Sequence, residues 1–117
     1  MSYLKVFSDE AGETHFAEQP MGAVLEWDSR FTRLVRVEPG RTTPMHCEPA
    51  PTLATAIRGG ATITTSDGAS HRLEPGTAML FVDTEGRGHV FANGDEETIL
   101  LIARLTNAAA RTSPIGP

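Results

Sequence analysis

One cysteine, Cys47, one tryptophan, Trp27, and one tyrosine, Tyr3, are all that this 117-residue chain has of those three residue types. A lone thiol cannot close an internal disulfide, which agrees with a reducing cytoplasm. Cations are scarce as well: 10 Lys and Arg stand against 15 Asp and Glu, for a net charge of -5 and a pI near 5.3. A phosphate-backbone partner relies on clustered Lys and Arg, so nucleic acid is excluded as a partner. Long apolar runs are missing too. The longest, Ala78 to Val82 and Ile99 to Ala103, are far too short to span a bilayer, and Met1-Ser2-Tyr3-Leu4-Lys5 leads into acidic residues without an apolar stretch. The expectation is a soluble, unexported, cytoplasmic protein with no membrane partner. No segment reads as a helix longer than a turn or two.

What is present is short and β-like. A chain that is 39% hydrophobic and 21% charged fits one globular domain, 1–117, with one core. Eleven glycines and eight prolines divide it into segments rich in Val, Ile, Thr and Leu, the rhythm of an all-β domain. The expected strands are Leu4 to Phe7, Val24 to Trp27, Phe31 to Val37, Leu53 to Arg58, Ala61 to Ser66, Ser70 to Leu73, Ala78 to Val82, His89 to Ala92 and Thr98 to Leu105. Asp67-Gly68 and Asn93-Gly94 can each supply the positive φ values of a tight hairpin turn. Ala78-Met79-Leu80-Phe81-Val82 and Ile99-Leu100-Leu101-Ile102 are apolar on both faces, so something must cover the outside. A small barrel with its core at about 31–105, paired in a homodimer, satisfies that; a β-sandwich with two ordinary core faces is the alternative. The tail from Thr106 to Pro117 has little amphipathic pattern and is expected to fray or drape over a neighbour.

His46 and Glu48 lie six and eight residues after Gly40, and His89 follows later, between Pro75-Gly76 and Asn93. Side chains two apart on a strand point the same way, so His46 and Glu48 can both face a barrel interior while Cys47 faces out as a packed thiol. With His89 from another strand, two neutral imidazoles and one carboxylate can hold Fe(II), Mn(II), Ni(II) or Zn(II) with positions left open. Without a metal, the histidines are polar lining that hydrogen-bonds a ligand. His15 and His71 lie in polar segments and read as surface side chains. Ile57, Ile63, Met79, Phe81 and Phe91 have the parity to line a mostly apolar pocket suited to a small organic molecule. Trp27 either caps the barrel mouth or packs in the core.

These residues carry a resemblance. The stretch from Pro39 to Asn93 resembles the paired motifs of the cupin superfamily, whose first motif runs Gly, five residues, His, one residue, His, three or four residues, Glu, six residues, Gly. Gly40, His46, Glu48 in place of the second His, and Gly59 or Gly60 match it, while the family Glu would fall on Leu53 or Thr52. The second motif is met by Gly68, Pro75-Gly76, His89 and Asn93, although Asn93-Gly94 also reads as a hairpin turn in its own right. The segments Asp9 to Phe16 and Asp83 to His89 look like those of short single-domain bacterial cupins. The resemblance implies a double-stranded β-helix, or jelly-roll, barrel with His46, Glu48 and His89 as its centre. It implies a proton-transfer enzyme of isomerase, cyclase or decarboxylase type in which Glu48 or a histidine is the base. A metal-dependent oxygenase using Fe(II), and a ligand-binding or sensing module without catalysis, are the other outcomes the family allows.

Overall fold

The structure is a computed structural model and describes residues 2–21 and 25–112. Twelve strands and no helix are found among these residues, and so no helix is long and apolar enough to cross a membrane. The strands are β1 (Ser2–Ser8), β2 (Thr14–Pro20), β3 (Leu25–Glu26), β4 (Ser29–Val37), β5 (Thr42–His46), β6 (Thr52–Arg58), β7 (Ala61–Thr65), β8 (Ser70–Leu73), β9 (Ala78–Phe81), β10 (His89–Asn93), β11 (Thr98–Leu105) and β12 (Arg111–Thr112). Each expected strand is present with its ends shifted by no more than a residue or two; Val24, at the start of one of them, lies outside the described residues. Three strands, β2, β5 and β12, come from segments with no expected strand.

Two sheets form the body. One has the order β2-β1-β9-β6-β11-β4 and the other β5-β10-β7-β8. They face each other across one core, to which the larger sheet contributes Val6, Ala54, Met79, Phe81 and Leu100 and the smaller Ile63 and Leu73. The alternation that builds it is plain in β6, where Thr52, Ala54 and Ala56 are buried and Leu53, Thr55 and Ile57 are not. A closed barrel does not form: no strand pairing joins the two sheets among the described residues. At the β5 edge of the smaller sheet, Pro44 has no N–H to offer a further strand, which is the position a strand proline tolerates.

The expected Asp67-Gly68 hairpin joins β7 to β8, but with a different turn. Only Gly68 of the pair has positive φ, at 89°, and no non-glycine residue does among the described residues. Gly68 N–H donates to the Thr65 carbonyl and Thr65 N–H to that of Ala69, a turn closed by one left-handed residue. Asp67 Oδ1 completes it by accepting from Ala69 N–H (3.1 Å) and Thr65 O–H (2.5 Å). Asn93-Gly94 is not a hairpin turn: β10 and β11 lie in different sheets and neither residue has positive φ. Asn93 is instead buried, and its Nδ2 donates to the carbonyls of Val37 (3.2 Å), Glu38 (2.8 Å) and Glu96 (3.2 Å) while Oδ1 accepts from Thr98 O–H (2.6 Å). Thr106 to Thr112 is tied to its own chain, through β12 against β3, Thr106 N–H to the Asp28 carbonyl and Trp27 Nε1–H to the Ala108 carbonyl, while the rest of the expected tail, 113–117, lies outside the described residues. Trp27 packs edge-on against Tyr3 and takes no part in the cavity described below.

The two sheets are stitched together at one end by side chains of β2 and the β7–β8 turn. Thr14, fully buried, gives its N–H to Ser66 Oγ (2.7 Å) and takes Ser66 N–H on Oγ1 (2.9 Å). His15 lies beside it, hydrogen-bonded through Nε2 to Asp9 (2.7 Å) and through Nδ1 to Asp67 (3.0 Å), so it is an ion-paired side chain more than a free surface one. His71, exposed, stacks edge-on with Phe16. The hydrogen bond to Asp9 leads the influences that raise the His15 pKa, and the same bond lowers that of Asp9, while Asp67 is lowered first by Thr65. A raised imidazole pKa stabilises the fold below its unfolded value and loses that contribution as pH rises through the folded one; the lowered carboxylates contribute above their unfolded values and lose it as pH falls. The contribution is thus largest between about pH 4 and 6.5. Urea midpoints should show His15→Gln most destabilised relative to wild type near pH 5 to 6 and least at pH 9; a gap independent of pH would refute the assignment.

Candidate functional site

His46 and His89 face each other across the β5–β10 pair, where the register is His89 to His46 and then Phe91 to Thr43. Two residues of β5, Pro44 and Met45, thus oppose one of β10, Val90, a bulge that turns both Thr43 and His46 toward the interior. Simple alternation would have set one of them outside. Gly88, with φ of 81°, brings β10 close to β5: a Cβ there would overlap the His46 carbonyl and lie 2.7 Å from Cys47 N. Glu48 follows β5 and is fixed by its N–H to the Asp83 carbonyl (3.2 Å).

His46, Glu48 and His89, the three residues singled out in the sequence, come together. Glu48 Oε1 is 3.3 Å from His89 Nε2 and 4.0 Å from His46 Nε2, and the two rings are 4.7 Å apart. Their side chains are unequally exposed, at 3% for His89, 15% for Glu48 and 40% for His46. Each imidazole is oriented by its other nitrogen: His46 Nδ1 donates to the Pro44 carbonyl (2.9 Å) and His89 Nδ1 to Asp83 Oδ2 (2.5 Å). Both Nε2 atoms are thereby aimed at Glu48. One ligand atom from each of the three lies within 4.8 Å of the others, so the group can hold a metal ion, with the outer hydrogen bonds that usually orient metal-bound histidines.

Three further residues complete the cluster and were not read as part of it. Asp83, with no exposure, backs His89, and its Oδ1 is buried with no hydrogen-bond partner among the described residues. Arg104 Nη1 donates to Glu48 Oε2 (2.9 Å) and to Thr52 Oγ1, the residue paired with it across β6 and β11. A charged residue at the inward parity of Thr98, Leu100 and Ile102 was the available sign for Arg104. For Asp83 only its place six residues before His89 was visible. Burial pulls the His89 pKa down, but the hydrogen bonds to Asp83 and Glu48 outweigh it and raise the value to about 9. Glu48 is pushed up by burial and held below the usual range by His89 and Arg104. At neutral pH His89 is an imidazolium between two carboxylates. Cys47 stays outside the group, half-buried, its thiol on the Gly86 carbonyl (3.1 Å); burial leads the influences that raise its pKa, so it is a poor thiolate.

The cluster opens on a cavity of about 230 Å³. Ile63, Phe81 and Phe91 line it as the sequence suggests, together with Val35, Leu100 and Ile102. Met79 and Ile57 do not. Met79 shares the face of Phe81 but is enclosed in the core with no exposure, opposite Ala54 and Leu4. Ile57 has the outward parity of β6 and is 56% exposed. Neither a scan of protein-family models nor a search of curated proteins finds a match to this chain.

Proposed function

We propose that the chain is a small enzyme of the cupin type, a jelly roll whose cavity binds a small organic metabolite and in which His89 and Glu48 move a proton next to a substrate carbonyl. Isomerisation, cyclisation and decarboxylation share that step. The observation that carries the reading is His89, an imidazole almost without solvent contact, clamped between Asp83 behind it and Glu48, which faces the cavity. Its raised pKa keeps Nε2–H available as a donor to a substrate oxygen. Glu48 is the carboxylate left to accept a carbon-bound proton. A substrate oxygen that takes over the long His89 contact removes one influence holding the Glu48 pKa down, while burial, which pushes it up, stays; binding therefore makes Glu48 a stronger base.

The jelly-roll reading is supported by β4 to β11, which divide as β9-β6-β11-β4 and β8-β7-β10-β5, four strands to each layer. Thr52 takes an inward place near that of the Glu in the cupin pattern, and Arg104 fills that side of Glu48. A divalent metal, Fe, Mn, Ni or Zn, held by His46, Glu48 and His89 would polarise the same carbonyl. That donor set of two imidazoles and one carboxylate also favours a second reading, an Fe-dependent oxygenase. Leu34, Ile57 and Leu101, exposed on the outer face of β4, β6 and β11, fit a homodimer, whose mass sedimentation would measure. The lone thiol fits a reducing cytoplasm.

Proton exchange into D₂O, followed by NMR on a panel of small ketones and oxo acids with anaerobic, chelator-treated protein, tests the reading. Wild type should exchange the hydrogens next to the carbonyl, and Glu48→Gln should be slower by about 10²-fold or more. Exchange that Glu48→Gln leaves intact would overturn the assignment. Turnover seen only with metal and dioxygen would establish the oxygenase, and probe binding with no turnover of any kind a binding module.

A further inference from the structure

The cavity has a second polar end. Along β5 and β10 the His46–His89 pair marks one end; Phe91 then meets Thr43, Ala92 meets Thr42, and Asn93 N–H donates to the Arg41 carbonyl (2.8 Å). Arg41 also lines the cavity, five residues from His46 and on the other side of the β5 bulge. Between the two ends the wall is apolar apart from Thr43, made by Val35, Ile63, Phe91, Leu100 and Ile102. The two cavity arginines differ in how far they are committed. Arg104 is held by Glu48 and Thr52, whereas the partner found for the Arg41 guanidinium among the described residues is Glu38 at 3.6 Å, with both side chains more than 60% exposed. A solvent-screened pair of that kind contributes little and yields readily to a better-placed anion.

The backbone under Arg41 is built, not loose. Buried Asn93 ties down the Val37 and Glu38 carbonyls before it, and Gly40 N–H donates to the Gly94 carbonyl (2.8 Å) beside it. Arg41 also borders a second depression outside the cavity, with Arg36 and Glu38. A guanidinium anchored there recognises a carboxylate in its own plane through paired N–H donors.

We infer that the ligand of this cavity is a small monocarboxylate with an apolar stem, its carboxylate on Arg41 and its far end against His89 and Glu48. The inference rests on the cavity of the proposed enzyme and narrows its substrates to oxo acids whose reacting carbonyl lies at the end remote from the carboxylate. A volume of about 230 Å³, below the roughly 300 Å³ at which drug-sized pockets begin, limits the stem to a short chain or a single ring.

Hexanoate and hexan-1-ol, equal in length and differing in charge, are the probes, with binding read from NMR shifts of Ile63 and Phe91. Hexanoate should bind wild type about tenfold more tightly than hexan-1-ol; Arg41→Gln should bring it down to the level of the alcohol, and Arg41→Lys should restore part of the preference. Equal binding of the two probes, no shift at Ile63 or Phe91 with either, or a preference that survives in Arg41→Gln overturns the inference. Exchange of neutral ketones, which does not involve Arg41, decides the proton-transfer reading separately.

Discussion

Asp83→Asn is expected to lower stability by about 3–5 kcal/mol at pH 6 and to bring the His89 pKa down from about 9. Asp83 is fully buried, and its Oδ2 sits 2.5 Å from His89 Nδ1, so an amide of the same size removes a charge that burial itself cannot replace. Burial is the strongest single influence on His89 and acts downward; with Asp83 neutral, Glu48 alone opposes it. The pH dependence follows from the sign of the shift. A folded pKa of about 9 against about 6.5 in the unfolded chain adds stability in full below 6.5, on the order of 3 kcal/mol, and loses it as pH rises through 9. Urea denaturation should therefore show wild type and Asp83→Asn far apart at pH 6 and closer at pH 10. Histidine NMR titration checks the cause: a His89 signal that still titrates near 9 in the variant would show that Asp83 does not set it.

Gly88→Ala should be the most damaging small change near the site. Its positive φ alone costs about 1–3 kcal/mol with a Cβ present, and here the Cβ also overlaps the His46 carbonyl, which is backbone and cannot swing away. Relief requires β10 to move off β5, separating His89 from His46. Gly68→Ala is the control, because Gly68 has φ of 89° but nothing within 4 Å of its Cβ position. Thermal unfolding should find Gly68→Ala paying the conformational cost only, and Gly88→Ala losing roughly twice as much or more together with the His46–His89 ring contact, seen as shifts of both imidazoles. Equal losses in the two variants would show that the close approach at Gly88 is unimportant.

How far the site could be read in advance varies residue by residue. His46 and His89 stand out because imidazoles bounded by Gly and Pro turns are conspicuous in a chain with only four. His46 and Glu48 both line the cavity and Cys47 does not, as alternation suggests, although β5 itself ends at His46 and the bulge before it is what brings Thr43 to the same side. That bulge depends on β10 lying opposite. β5 itself was hidden because Thr42-Thr43-Pro44-Met45-His46 holds a proline and lacks the alternation of a strand, and an edge position tolerates both. β2, also at an edge, was obscured by its polar residues. Asn93 was misread for the opposite reason. The dipeptide Asn-Gly is a strong local turn signal, but the Asn side chain had two distant carbonyls, of Val37 and Glu38, to bind besides the nearby one of Glu96, and those contacts prevailed.

Local chemistry by itself determined that this chain is all-β, where most strands begin and end, and which histidines are candidates for a centre, because side-chain direction and turn preference depend on neighbours a few residues away. Only the tertiary structure decided that Asp83 stands behind His89, that Arg104 and not a second carboxylate faces Glu48, that Met79 is sealed off while Phe81 lines the cavity, and that two open-edged sheets take the place of a closed barrel. Those facts depend on which strand lies beside which and in what register, and a shift of one residue in a pairing would reverse every inward and outward side chain along it.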